Sequence, residues 1–286
     1  MAEARCPASC GEFIQGWIGG SEKLVSCPID WFSTVEVRDG AKLPTERLRM
    51  RQILERVVAY FGYPAALANN LSIALESTVP VGKGMASSTA DIAATAVATA
   101  RHLDEILDEA TLAALCVQIE PTDSTLFRRL TLFDHLHAQT IASCEPAPAL
   151  ELLLLESNAT LLTEDYHRQK REAALMSHAD ELDRAWHLLQ RSCLQQNTRL
   201  LGMAATLSAV ASQELLAKPM FTQLLGLIEE FDLYGLTVAH SGSVVGLMLD
   251  SSKHDCQKIL WQIKHSAMSA CYPRQYLVKA VKGGVR

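Results

Sequence analysis

Two glycines and three hydroxyl residues crowd the run from Pro80 to Ala90, PVGKGMASSTA. It follows a short alternating segment (Leu71, Ile73, Leu75) and precedes an alanine-rich stretch that predicts a helix from about Ser88 to Leu103. A strand, a glycine turn and a helix start together make an anion site. Gly82 and Gly84 let a ligand approach the main chain. The unpaired N–H groups of the first helical turn, aided by the helix dipole, favour phosphate. Ser87, Ser88 and Thr89 supply hydroxyls that could cap the helix, touch phosphate or ligate Mg²⁺. The run is not a Walker A loop, since Gly84 follows Gly82-Lys83 and the required upstream glycine is missing. A plain strand–turn–helix with a serine cap fits the run as well.

Two further segments bracket it. Cys6 to Gly16, CPASCGEFIQG, reads as a turn-rich segment leading into strands, and Ala239 to Gly246, AHSGSVVG, as a serine–glycine turn between strands. In this order the three resemble the motifs of the GHMP kinase superfamily. The middle motif, P-x-x-x-G-[LM]-x-S-S-x-A, stands here as Pro80, Gly84, Met85, Ser87, Ser88 and Ala90. Together with EPTDSTLF, LFDH and YGLTVAHSGSVVGLMLD, the segments resemble most closely the branch of that family that phosphorylates L-threonine for cobalamin synthesis.

The resemblance implies an α+β fold: an N-terminal ribosomal-S5-like domain over 1–147 and a C-terminal ferredoxin-like domain over 148–286, with ATP between them. It implies that Pro80, Val81, Gly82, Lys83, Gly84, Met85, Ala86, Ser87 and Ser88 wrap the triphosphate, and that Ser241, Gly242 and Ser243 close over the site. Ser88 matches a position that helps hold Mg²⁺. Asp123 is the expected catalytic base and Glu120 a further Mg²⁺ ligand, hard cations preferring carboxylate oxygen. Pro121-Thr122-Asp123-Ser124 is equally a good turn with an aspartate cap. Many members carry Lys or Arg in the N-terminal motif; Pro7-Ala8-Ser9-Cys10-Gly11 has none. Lys83 could supply positive charge instead, or be a solvated loop side chain. Homoserine or another amino alcohol is the alternative acceptor, and a non-catalytic nucleotide sensor the alternative class. For the amino acid, Glu12 or Asp30 could meet the ammonium, and Arg128, Arg129 or Arg168 the carboxylate; ordinary surface pairing accounts for each as well. His135 and His137 lack a third ligand at suitable local spacing and read as structural.

The elements that must hold these residues are mixed. Leu24 to Arg38 predicts one or two strands, Leu48 to Phe61 a helix, and Leu112 to Ile119 a second helix after the alanine-rich one. Leu150 to Leu155 predicts a buried strand, Glu164 to Gln196 a charged helix, and Leu200 to Leu216 and Pro219 to Phe231 two more. Strands return at Leu236 to His240, Val244 to Leu249 and Tyr276 to Val281, with a helix from His254. Strict βαβ alternation is missing, which favours α+β over a doubly wound sheet. The shift at Glu145–Pro148 is the best boundary.

With 49% hydrophobic residues the chain can build a real core. A net charge of −6 argues against nucleic acid as a partner, and the basic run Arg168, Lys170, Arg171 is diluted by Glu164, Asp165 and Glu172. The eight cysteines form no C-x-x-C pair and are expected as buried free thiols. No apolar run reaches the roughly 20 residues of a membrane span and no leader pattern opens the chain, so a cytoplasmic setting is expected. Oligomeric state is not legible.

Overall fold

The computed structural model describes residues 1–144, 147–158 and 172–286. Nine strands form one antiparallel sheet among the described residues: β1 (Ala2–Ile18), β2 (Ser21–Asp39), β3 (Leu71–Ser77), β4 (Leu130–Asp134), β5 (Gln139–Cys144), β6 (Glu151–Glu156), β7 (Gly235–Val238), β8 (Val245–Leu249) and β9 (Arg274–Lys279). The order is β5-β4-β2-β1-β7-β8-β6-β9, with β3 also paired to β2. Together with the helices this is an α+β fold.

The long strand β1 corrects the reading of Cys6 to Gly16 as turn-rich. Every residue from Cys6 to Gly16 is buried, so the apolar–polar alternation that marks a half-exposed strand is absent. Register shifts against β2 between Pro7 and Ser9, Ser9 and Glu12, and Glu12 and Ile14 bend it where the chain reaches the centre of the molecule. There β1 meets β7 through a single registered pair, Glu12 with Val238. Gly11, with φ +63°, makes that crossing possible: a Cβ at this position would lie 2.3 Å from the Val238 carbonyl.

Helices α1 (Leu48–Tyr60), α2 (Ala65–Asn69), α3 (Ser87–His102) and α4 (Glu109–Val117) cover the first half of the sheet. Their core gathers Val35, Val37, Ile53, Leu54, Val57, Ile73 and the alanines of α3, whose small side chains let it lie close against β1 and β2. In the second half, α5 (Glu172–Met176) precedes α6 (Ala179–Gln195) and α7 (Thr198–Ala211). Leu182, Ala185, Trp186, Leu189 and Cys193 recur on one face of α6 and pack with Ala8, Phe13, Ile14 and Leu152. Each buried leucine contributes about 2 kcal/mol. Helices α8 (Phe221–Glu230), α9 (Cys256–Lys264) and α10 (Met268–Cys271) complete the second half, with Leu224, Leu227, Ile259 and Ile263 packed against Leu153 and Leu155 of β6. The last residues return to the first half: Arg5 and Arg286 exchange backbone hydrogen bonds of 2.8 and 2.9 Å.

Several boundaries differ from expectation. Pro219 lies before the cap of α8, which begins at Phe221 after Met220 with φ +56°. The hairpin β4–β5 was not foreseen; its second strand is largely exposed and polar. Residues 164–171 of the expected charged helix, Arg168 among them, lie outside the described residues, as do 145 and 146 of the expected boundary. All eight cysteines are free, six of them buried. Among the described residues no helix is long and apolar enough to cross a membrane.

Candidate active site

Three residues in the left-handed region, Gly82 (φ +72°), Gly84 (φ +75°) and Ala86 (φ +55°), coil the loop before α3. Ala86 is the N-cap and makes no side-chain cap, so the expected serine cap is replaced by an alanine in a conformation that costs a non-glycine residue roughly 1–2 kcal/mol. Ser87 is the first helical residue. The first-turn N–H groups are thus left without a side-chain cap, at the positive end of a helix of 16 residues with Arg101 and His102 in its last turn.

The loop is gripped from both sides. Ser9 of β1 donates its N–H to the Met85 carbonyl at 3.0 Å, and Ser243 and Val244 donate theirs to the Lys83 carbonyl at 3.0 and 3.2 Å. Gly84 and Gly242 touch backbone to backbone: a Cβ on Gly242 would lie 2.3 Å from the Lys83 oxygen, and one on Gly84 2.8 Å from the Gly242 Cα. The three sequence motifs therefore meet at one loop. Met85 directs its side chain into the core, and Val81 is exposed. Ser88, Gly82, Gly84 and Ser241 are each partly open to solvent. Lys83 is not a solvated loop side chain. It is buried, and its Nζ donates to the carbonyls of Ser157 (2.8 Å) and Asn158 (3.4 Å), so it fastens the loop to the end of β6.

Asp123 stands beside the first turn of α3. The Thr89 hydroxyl donates to Asp123 Oδ2 and accepts from the Asp123 N–H, both at 3.1 Å. Asp123 begins a 3₁₀ turn (Ser124–Leu126) without capping it through its side chain, so the cap reading of EPTDS fails. Burial first, and the adjoining Glu12 carboxylate second, push the Asp123 carboxyl up to about 7. Glu12 is itself buried, and its Oε2 accepts from the His240 N–H (2.9 Å) and faces His240 Nδ1 (3.0 Å). His240 Nε2 lies 3.1 Å from the Ser208 hydroxyl of α7. Lys218, also buried, donates from Nζ to the Gly242 carbonyl at 2.9 Å. Burial pulls its ammonium down to about 8, against the pull of Glu12.

The oxygen donors suit Mg²⁺. The Ser88 hydroxyl and the Glu120 carboxylate are hard ligands, and this ion is usually held by one or two protein groups plus substrate phosphates. Both side chains are partly open, and Glu120 pairs with Arg49 of α1 at 2.7 Å.

Residues 49–127 match the family model described as GHMP kinases N terminal domain. Over 286 residues the chain is 58% identical to the L-threonine kinase of Salmonella typhimurium, covering all of this chain and 95% of that one. It is 57% identical over 285 residues to the L-threonine kinase of Citrobacter freundii, covering 100% and 99%. The chain belongs to the GHMP kinase family. It is accordingly a small-molecule kinase with ATP as phosphate donor. In fold this GHMP kinase resembles the homoserine kinase of Cytophaga hutchinsonii, with a TM-score of 0.68 at 15% identity over 100% of this chain and 96% of that one.

Other sequence candidates stand apart from this centre. Asp30 is exposed and accepts from the Lys279 N–H at 3.1 Å. Arg128 lies on the surface near Glu109, at 3.9 Å, and Arg129 is likewise exposed. His137 pairs with Asp134 at 3.0 Å, while His135 is buried 3.9 Å from Glu22. A groove of about 770 Å³ between α6, α7 and α8, lined by Arg184, His187, Met203 and Leu207, holds none of the loop or carboxylate residues of this GHMP kinase. His240, Lys218 and Ser208 escaped the sequence reading; the histidine immediately before Ser241-Gly242-Ser243 was the one local signal.

Proposed function

We infer that the chain transfers the γ-phosphate of ATP to the hydroxyl of L-threonine, giving O-phospho-L-threonine and ADP. The observation that carries the mechanism is the Asp123 carboxylate, held by Thr89 in the first turn of α3, directly after the phosphate loop, and poised to take a proton near neutral pH. The substrate comes from the two curated relatives, which match this chain end to end. Phosphoryl transfer asks mainly for positioning and charge neutralisation. In this reading Gly82 to Ser88 and the first N–H groups of α3 hold the triphosphate, with Ser241, Gly242 and Ser243 backing the loop. Ser88 and Glu120 would hold Mg²⁺, which when bound would neutralise phosphate charge. Asp123 accepts the proton of the acceptor hydroxyl.

The remaining parts of the proposal follow the family resemblance: residues 1–147 as the nucleotide-phosphate half and 148–286 as its complement, a cytoplasmic setting, and a product that feeds the aminopropanol phosphate linker of cobalamin. Coupled ADP release across L-threonine, L-serine, L-homoserine and mevalonate tests the assignment. Turnover is expected with L-threonine above the others. Clear turnover with another acceptor and none with threonine overturns it.

A further inference from the structure

Lys218 is buried in the segment before α8, and burying an ammonium costs several kcal/mol unless good partners offset it. Its Nζ donates to two main-chain carbonyls, Gly242 at 2.9 Å and Leu216 at 3.3 Å. The first of these belongs to the turn that backs the phosphate loop. We propose that Lys218 is a positioning residue for the nucleotide phosphates: its charge, passed through the Gly242–Ser243 and Lys83–Gly84 peptide groups, orients and polarises the Gly84 N–H that meets them. This rests on the phosphate-loop reading above and deepens it.

The geometry follows from two trans peptide groups, whose C=O and N–H point in opposite directions. On one side of the Gly242–Ser243 peptide, the carbonyl accepts from Lys218 Nζ. On the other side, the Ser243 N–H donates to the Lys83 carbonyl at 3.0 Å. The Lys83–Gly84 peptide repeats the arrangement. Its carbonyl takes the Ser243 and Val244 N–H groups, so its own N–H, carried by Gly84, faces away from the turn. Hydrogen bonds in series polarise one another. A cation at the carbonyl end of the series makes each N–H along it a stronger donor, Gly84 last. The loop is shaped to use that donor. Its φ angles alternate in sign, positive at Gly82, Gly84 and Ala86 and negative at Lys83 and Met85. Such alternation turns successive N–H groups toward one concavity that suits an anion. The Gly84 N–H stands at the middle of this run and has no acceptor among the described residues. Lys218 is itself fixed in place. Its N–H donates to Gln213 Oε1 at 2.7 Å, and Gln213 Nε2 donates to the Ala209 carbonyl of α7 at 2.7 Å. The next residue, Pro219, accepts at its carbonyl from the Tyr272 hydroxyl at 2.9 Å. The ammonium is therefore anchored under Gly242 from both flanks of its own segment.

The test compares ADP with adenosine, each titrated by calorimetry into the full chain at excess Mg²⁺ without acceptor. Lys218→Met keeps the side-chain length and loses the charge. Its Kd for ADP is expected to rise about tenfold, while that for adenosine, which has no phosphate, moves by less than about twofold. Lys218→Arg, which still brings a cation to the Gly242 carbonyl, is expected to recover most of the affinity. In turnover, Lys218→Met is expected to raise the KM for ATP by a similar factor and to leave the KM for the acceptor in place. Equal weakening of ADP and adenosine overturns the proposal, as does equal loss in the methionine and arginine variants. If Lys218→Met does not fold, as judged by its melting curve, Lys218→Gln, which keeps an N–H donor but not the charge, replaces it with the same outcomes. A wild type that binds ADP no more tightly than adenosine overturns the phosphate-loop reading and the proposal with it. A wild type that prefers ADP, beside a Lys218→Met that prefers it equally, overturns the proposal alone.

Discussion

Replacing Asp123 with asparagine should make the protein inactive and, above neutral pH, more stable. The asparagine keeps a polar group against the Thr89 hydroxyl and removes one of two facing carboxylates. In the folded wild type the Asp123 carboxyl holds its proton up to about 7, whereas the unfolded chain releases it near the ordinary aspartate value of 3.8. Between those values the folded state binds more protons than the unfolded one, so stability falls as pH rises through that window and the loss is complete above about 7. About three pH units at 1.36 kcal/mol each give about 4 kcal/mol. Asp123 is partly open to water, which screens its repulsion from Glu12, so about 2 kcal/mol is the expected share. Urea melts at pH 4, 6.5 and 8 should show Asp123→Asn gaining on wild type as pH rises, by about 2 kcal/mol at pH 8 and only a few tenths at pH 4. ADP release should fall about 10²–10⁴-fold at every pH. A stability difference that does not change with pH would refute the carboxylate-pair reasoning, and near-normal turnover would remove Asp123 as the base.

Three other perturbations probe the loop and its supports. Gly242→Ala would drive a Cβ to 2.3 Å from the Lys83 oxygen and part the two glycine turns; the KM for ATP should rise at least about tenfold, a cost of about 1.4 kcal/mol. Ser88→Ala should raise the Mg²⁺ concentration needed for half-maximal rate, read in a metal titration at saturating ATP. Thr89→Val removes the hydroxyl that holds both the Asp123 N–H and its carboxylate; kcat should fall about tenfold with the KM for ATP unchanged, in keeping with about 1–2 kcal/mol for a hydrogen bond to a charged group.

The phosphate loop was legible because its signal is local: glycines where the main chain turns left-handed and a helix start directly after them. Even there the cap was misread, since the alanine in the left-handed conformation is set by the grip of Ser9 and Ser243 rather than by its own preference. The strand β1 was hidden because burial on both faces erases alternation. The carboxylate centre was half legible. Asp123 and Glu120 sit in one short segment, but Glu12 and His240 are 228 positions apart and meet only because β1 and β7 pair at Glu12 and Val238. No spacing rule reaches that far. Lys218 lies in a segment whose helix start was misplaced at Pro219, and it reads as one more surface lysine until the fold buries it under the Gly242 carbonyl.

That single pairing at Glu12 has a consequence for how the protein is made. The segment that backs the phosphate loop, Ala239 to Val244, is synthesised about 150 residues after the loop itself. At the roughly 5–20 residues per second of synthesis, the young chain spends on the order of ten seconds or more with the left-handed turns of its loop unsupported on that side. Contacts of such long sequence separation form slowly. Competence to bind nucleotide is therefore expected only once Val244 has emerged. Nucleotide present during synthesis would act on the finished fold rather than on the emerging one, and a nascent chain stalled before Ala239 should fail to be retained on immobilised ATP.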